Sequence, residues 1–300
     1  MDCSVVVPTL NGRDRLARTL DALADLAPTA EVIVVNGPSA DGTTGMVRER
    51  DDVDVLVEIA DRTVAVARNA GIDRATGEVV ALLDHGLSIR PGWLDAVRES
   101  IDESAVVTGP TLQQVRAGRA TETIESRRVV GRQVTYFNSG NVAFDRAVLD
   151  EYDGFDEYLQ AGSDRDLAHR IAGGDHEVSW SPSMAVEQTY GADGGEQERD
   201  WHWAYRSLAY ELSKNHGVRP SVVARLVGRS AKDAVGALSG VVKGKTGPAE
   251  WVGNGRSVLG GMAVGLKDGV KARASDRSER RNPRGRSARA DRAVSVYDWR

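Results

Sequence analysis

Cysteine occurs once, phenylalanine three times, and lysine is absent from the first 200 of 300 residues. The lone Cys3 excludes an intramolecular disulfide and fits a reducing interior. No Cys/His spacing of the zinc-binding kind is present. Long apolar runs are missing too, since stretches such as Val79–Leu83 fall far short of the ~20 residues that span a bilayer. The opening MDCSVVVPTL enters an apolar strand without a basic n-region, so neither a secretory signal nor a transmembrane helix is expected. No G-x-G-x-x-G follows the first strand, which ranks a nucleotide-dependent oxidoreductase far below other readings.

What is present is charge, unevenly placed. Residues 1–200 carry 36 Asp and Glu against 19 Arg, a net −17, and residues 201–300 carry 8 acids against 20 bases, a net +12, leaving −5 for the chain. An acidic, lysine-free body suits a high-salt cytoplasm, where strong screening weakens self-repulsion. GC-rich codon bias, replacing Lys by Arg, accounts for the same pattern. The basic tail suits an anionic membrane surface or nucleic acid. It lacks interleaved aromatics, which favours the membrane and no nucleic-acid partner.

Short apolar runs alternate with amphipathic stretches over the first 110 residues, the pattern of a βαβ layer structure. Strands are expected at 4–7, 31–35, 53–57, 78–83 and 105–108, and helices at 13–26, 43–50, 64–74 and 91–101. The apolar Val79–Leu83 run is of the kind buried on both faces of a parallel sheet. Residues 112–134 are polar and weakly periodic and read as an acceptor-side insertion, while 141–144 and 177–180 read as strands flanking a helix at 163–171. From Asp200 the composition turns helical, with WHWAYRSLAYELSKNHG followed by helices over 222–242 and 251–270. The last two set apolar residues such as Val223, Leu226, Val227, Ala234 and Leu238 against an Arg/Lys face. They either lie on a membrane or pack back on the body. From about Ala272 the chain is too charged to bury a core and reads as disordered. The expected organisation is one domain over 1–200, amphipathic helices over 201–271 and a basic disordered tail over 272–300.

Four segments, SVVVPTLNGRDRLARTLDAL, EVIVVNGPSADGT, ARNAGIDRATGEVVALLDHG and DGFDEYLQAGSDRDLAHR, taken in order, resemble the signature of family 2 glycosyltransferases with the GT-A fold. The resemblance covers roughly residues 3–185. It implies an α/β nucleotide-diphospho-sugar transferase fold, with a mostly parallel Rossmann-like sheet and C-terminal helices. The implied reaction is inverting transfer of a sugar from a nucleotide-sugar donor. Ligands of open α/β sheets bind outside the carboxyl ends of the strands, which puts Pro8, Thr9 and Asn11 against the nucleotide. The same residues also suit a plain strand-to-helix turn. After the second strand the family has two adjacent acids, the first on the base; here Asn36 and Gly37 take those places, followed by Pro38 and Ser39. Asn36 keeps an acceptor and adds a donor, so it is expected on the base with Ser39 beside it, and Asp41 as a helix cap. By resemblance Arg68 faces the diphosphate, whose oxygens a guanidinium matches bidentately. A salt bridge to the acidic surface is its plainer role.

The family's metal motif, normally Asp-x-Asp, reads Asp84-His85-Gly86, so the second carboxylate is missing. Asp84 with His85 is the candidate holder of a divalent cation, Mg or Mn. Alternatively arginines replace the cation, or the chain is a catalytically silent protein that binds nucleotide sugar or scaffolds glycan-assembly enzymes. Gly154, Phe155 and Asp156 resemble the family's turn into the acceptor site. Asp164 aligns with the acid of its Glu-Asp pair, Ser163 replacing the glutamate. Asp164 is therefore the expected base, with Asp166 behind it, and helix capping is its competing role. Trp201 and His202 suit sugar stacking on the acceptor side or completion of a metal site, or an ordinary helix start. The resemblance extends to haloarchaeal enzymes of surface-glycoprotein (S-layer) N-glycan assembly. By it the donor carries a hexose or hexuronic acid, the acceptor is a dolichyl-phosphate-linked glycan, and the protein sits peripherally on the cytoplasmic side of the cell membrane.

Overall fold

The computed structural model describes residues 1–113, 124–174, 176–188, 200–242 and 247–300, and the side chains of 113 and 239–242 are outside that description. Residues 114–123 of the expected insertion therefore lie outside the described residues. The first third alternates β1 (Cys3–Thr9), α1 (Arg13–Leu26), β2 (Glu31–Asn36), α2 (Thr43–Arg48), β3 (Val55–Ile59), α3 (Val64–Ile72) and β4 (Val79–Leu83). Next come β5 (Leu87–Ile89), α4 (Trp93–Ile101), β6 (Val106–Thr108) and β7 (Thr111–Gln113), then β8 (Glu125–Val129), β9 (Arg132–Tyr136) and β10 (Asn141–Asp145). The chain continues through α5 (Arg146–Glu151), α6 (Ser163–Ile171), β11 (Val178–Trp180) and β12 (Val186–Gln188). It closes with α7 (Trp201–His216), α8 (Pro220–Val242), α9 (Pro248–Ser275) and β13 (Ala293–Asp298).

Eight strands form the central sheet in the order β11-β6-β10-β4-β1-β2-β3-β13. The β4-β1-β2-β3 heart is parallel, and β10 and β13 run antiparallel to their neighbours. Period-2 alternation sends Val6, Ile33, Val35, Val80 and Leu82 into one core and Val5, Val7, Val34, Ala81 and Leu83 into the other. Helices α3 and α6 contribute to the first core and α1 and α4 to the second. Covering both faces explains why these strands read as unbroken apolar runs. Beside this sheet, β5, β12 and β7 make a small three-stranded sheet, and β8 and β9 form a hairpin.

The C-terminal tail departs from expectation. Instead of being disordered from Ala272, the chain stays helical to Ser275, makes an ordered traverse, and adds β13 to the edge strand β3 of the central sheet. The domain therefore does not end near residue 200. The physical reason is that the basic tail finds its counter-charges on the acidic body. Arg286 bonds Asp73 and Asp150, Arg289 bonds Asp61 and Glu157, and Arg292 bonds Asp73 and Glu157. Asn282 donates to the carbonyls of Tyr152, Asp153 and Gly154. Composition alone judges such a stretch unable to build a core, but it needs none when another part of the chain neutralises it.

Helix α9 lies along α7 through Gly261, Gly265 and Gly269, one per turn. A Cβ on Gly265 would sit 2.2 Å from the Arg206 carbonyl oxygen, so the backbones touch there without side chains between them. Gly265→Ala should therefore cost about 1–3 kcal/mol by overpacking. The control Gly253→Ala, with open space around its Cβ, should gain about 0.5–1 kcal/mol from helix propensity. Urea unfolding of the two variants measures the contrast.

Candidate active site

Strand order reverses at β1, flanked by β2 on one side and β4 on the other, and such a switch point opens a crevice at the carboxyl ends of the strands. A cleft of about 260 Å³ lies there. Its walls come from the end of β1 (Pro8, Thr9, Leu10), from Arg15 and Gly37, from the β3–α3 passage (Ile59, Asp61, Arg62, Thr63, Val64, Ala67), and from Asp84 and His85 after β4. The Thr9 hydroxyl is buried without a hydrogen-bond partner among the described residues.

Arg68 is buried behind this cleft. Its Nη2 donates to Asp84 Oδ1 at 3.1 Å and to the Ser139 carbonyl at 3.0 Å, and its guanidinium lies 5.3 Å from the Phe155 ring centre. The adjacent Asn69 has a different task. Its amide donates to the Phe155 carbonyl and accepts from the Phe155 N–H, both at 2.9 Å, and donates to Glu157 at 2.8 Å. One turn of α3 thus sets a buried cation against Asp84 of the cleft wall and clamps the Gly154–Phe155 turn. Asp164, in the first turn of α6, accepts from its own N–H and that of Arg165. Burial pushes its pKa up, and the Arg68 charge partly opposes that shift. Arg68 therefore bonds Asp84 directly, and its charge is also felt at Asp164.

The other expected site residues divide. Pro8, Thr9 and Asp84 line the cleft. Asn36 does not: it is 1% exposed and its amide is spent inside the fold, accepting from the Ser39 hydroxyl at 2.7 Å and donating to Thr44 at 2.9 Å. Ser39 also accepts from the Asn11 N–H, and Asn11 Oδ1 accepts from the Ala40 N–H. These residues brace the β1–α1 and β2–α2 loops against each other. Asp41 accepts from the backbone N–H groups of Thr43 and Arg13, the first residues of α2 and α1, while Gly42 holds the N-cap position of α2.

On the acceptor side, Phe155 and Asp156 are fully buried. Asp156 accepts from Lys214 at 2.6 Å and Tyr210 at 2.7 Å, so it stabilises the fold rather than meeting a substrate. Gly154 stands at φ +65°, with the Asn69 and Arg286 side chains where a Cβ would be. Asp166 is likewise buried, between Lys214 and Arg170. Trp201 faces an apolar groove between α7, α8 and α9, and His202 packs beneath Gly260 and Gly261 of α9. Neither lines the cleft.

His85 lines the cleft beside Asp84, and its Nε2 is buried without a hydrogen-bond partner among the described residues. Its ring turns beneath the β1–α1 turn, with Nδ1 3.1 Å from the Pro8 carbonyl and carbon Cδ2 against Gly12, and burial lowers its pKa. No cluster of three His, Cys, Asp or Glu side chains suited to a metal occurs among the described residues. Asp84, 44% exposed, offers one carboxylate. That fits a cation brought in on the donor diphosphate, since Mg²⁺ commonly takes one or two carboxylates plus substrate phosphates. It does not fit a cage built by the protein alone.

Asp61, Arg62 and Arg15 were not expected from the motifs. Asp61 and Arg62 follow directly after β3, the parallel neighbour of β2. The rule that ligands lie at strand carboxyl ends was signal enough to single them out.

Comparison with known proteins agrees with this geometry. Residues 4–153 match the model of Glycosyl transferase family 2. The pre-mycofactocin glycosyltransferase of Mycobacterium tuberculosis is 27% identical over 220 residues, 67% of this chain and 44% of that protein. The glycosyltransferase AglE of Haloferax volcanii is 30% identical over 110 residues, 34% of this chain and 36% of that protein. The chain thus spans less than half the length of these relatives. Among solved structures, S. aureus TarS 1–349 in complex with UDP-GlcNAc superposes with a TM-score of 0.61 at 18% identity, covering 92% of each chain. The mannosyltransferase PcManGT of Pyrobaculum calidifontis, in complex with GDP-Man and Mn²⁺, gives 0.55 at 17% identity, over 92% of this chain and 88% of that one. Together with the switch-point cleft these likenesses establish the GT-A fold, and the family match over half the chain decides the rest: the protein belongs to glycosyl transferase family 2.

Proposed function

We propose that this chain is an inverting glycosyltransferase that moves a hexose or hexuronic acid from a nucleotide-sugar donor to a hydroxyl of a lipid-linked glycan. The observation that carries the reading is Arg68, a buried cation bonded to Asp84 of the cleft wall, whose charge also opposes the burial-driven rise of the Asp164 pKa. Asp164 takes the proton of the acceptor hydroxyl as that oxygen bonds to the anomeric carbon. The bond from that carbon to the phosphate oxygen breaks, and the nucleoside diphosphate leaves from the opposite face. Arg68, with Arg15 and Arg62 in the cleft wall, meets the negative charge that develops on the leaving group. A divalent cation bound with the donor would neutralise part of the same charge, with Asp84 as its protein ligand.

The acceptor assignment to a dolichyl-phosphate-linked glycan, in the class that serves S-layer N-glycosylation, rests on the likeness to haloarchaeal transferases and on α8. Val223, Val227, Val235 and Leu238 of α8 are 42–70% exposed along one stripe, while Arg229 and Lys232 lie on the opposite side. No helix among the described residues is long and apolar enough to cross a membrane. A surface-lying helix of this pattern suits the interface of an anionic bilayer, on the cytoplasmic leaflet where nucleotide sugars are found.

Purified protein assayed at high salt with a panel of nucleotide sugars and lipid-linked acceptors should release nucleotide, and Asp164→Asn should cut kcat roughly 10²–10⁴-fold with donor binding retained. Donor binding without release by the parent protein would instead support a silent, scaffolding role. Because burial raises the Asp164 pKa, its base form is present only above that raised value. The acid limb of kcat/KM should therefore lie above the usual carboxylate range, with activity rising as pH rises through it. Cosedimentation with phosphatidylglycerol vesicles should fall severalfold in the Val227→Glu, Val235→Glu double variant. This is a cleaner test than truncation, which would also remove β13 from the sheet.

A further inference from the structure

The cleft wall mixes apolar side chains suited to a flat base, Leu10, Ile59, Val64 and Ala67, with the charged Asp61, Asp84 and Arg15. With the Asn36 amide spent internally, Asp61 and Asp84 are the two acids among the described residues that wall the cleft. The Asp61 side chain is 38% exposed, and Arg289 Nη2 engages its Oδ2 at 3.0 Å. Arg289 Nε reaches the other way, to Glu157 Oε2 at 2.9 Å. Glu157 Oε1 accepts from Asn69, the neighbour of Arg68, at 2.8 Å. The tail is held in place for this by β13, whose first residue Ala293 pairs with Ile59, two positions before Asp61.

We propose that Arg289 is a positioning residue for donor recognition. It orients the Asp61 carboxylate so that its free edge accepts the ring N–H of the nucleotide base, and through Glu157 it ties the base pocket to the helix turn that carries Arg68. This rests on the reading of the cleft as a nucleotide-sugar site. A carboxylate accepts and does not donate, so Asp61 selects bases whose pairing edge carries a ring N–H, uracil or guanine, over cytosine and adenine. Arg289 suits substitution because its side chain is 36% exposed, whereas Arg292, at 2%, is part of the buried framework.

Calorimetric titration of the full chain with UDP, GDP, CDP and ADP, alongside thermal melting, tests the inference. Wild type should bind UDP or GDP more tightly than CDP and ADP. Arg289→Ala should weaken the preferred nucleotide roughly tenfold and narrow the gap to CDP and ADP. Its melting temperature should be unchanged, and Arg289→Lys should recover part of the loss. In turnover, the effect should fall on KM for the donor rather than on kcat. Unchanged UDP and GDP affinity in Arg289→Ala would overturn the inference, as would an equal loss for all four nucleotides accompanied by a lower melting temperature. Failure of wild type to bind any of the four would sink the donor-site reading itself, and this inference with it.

Discussion

The Lys214 ammonium is completely buried, between Asp156 at 2.6 Å and Asp166 at 2.7 Å. Asp166 also holds Arg170 at 2.9 Å and accepts from Asn215 at 2.8 Å, while Arg170 donates to the Gly154 carbonyl. This one cluster joins α7 to α6, which carries Asp164, and to the turn after α5, which carries Phe155. A buried charge is tolerated only when it is paired and hydrogen-bonded, and removing one partner commonly costs roughly 3–5 kcal/mol. Asp164 is placed by the same restraint, because the first turn of α6 that carries it also carries Asp166. The turn that Asn69 clamps from the other side is held here too. Charge pairing in the interior thus ties α6 and the turn after α5 to α7.

The same principle operates on the surface at larger scale. An acidic body of net −17 and a basic remainder of net +12 are two halves of one electrostatic design, with Arg286, Arg289 and Arg292 meeting Asp61, Asp73, Asp150 and Glu157. Exposed pairs of this kind contribute little singly. Here they form a network around the largely buried Arg292 and Glu157, and an edge strand docks alongside them. Part of the tail's charge is thereby withdrawn from any external anion, while α8 and α9 both keep exposed apolar residues with bases nearby.

Legibility in the sequence followed the range of each interaction. The strands β1 to β4 and their helices were legible because burial on both faces leaves an apolar run every time. The three-residue strands β5, β7 and β12 lie in a small side sheet and leave no sustained apolar run, and β13 is a half-exposed edge strand in a charged stretch. Thr9 and Asp84 were singled out from their place at strand ends, and both line the cleft. Asn36 and Asp156 misled because a polar residue in a motif position looks the same whether its hydrogen bonds go to a ligand or back into the fold. Trp201 and His202 misled for a similar reason, since an aromatic pair at a helix start serves a helix–helix contact as readily as a sugar.

By itself the sequence determined the parallel sheet, the strand ends where a ligand can sit, and the uneven distribution of charge, because periodicity and composition are local properties. Only the tertiary structure decided which charges neutralise one another and which face the cleft. Arg292 and Asp73 are 219 residues apart in the chain, and Lys214 and Asp156 are 58 apart. Ion pairs depend on distance in space, and nothing in the local pattern around either partner specifies the other.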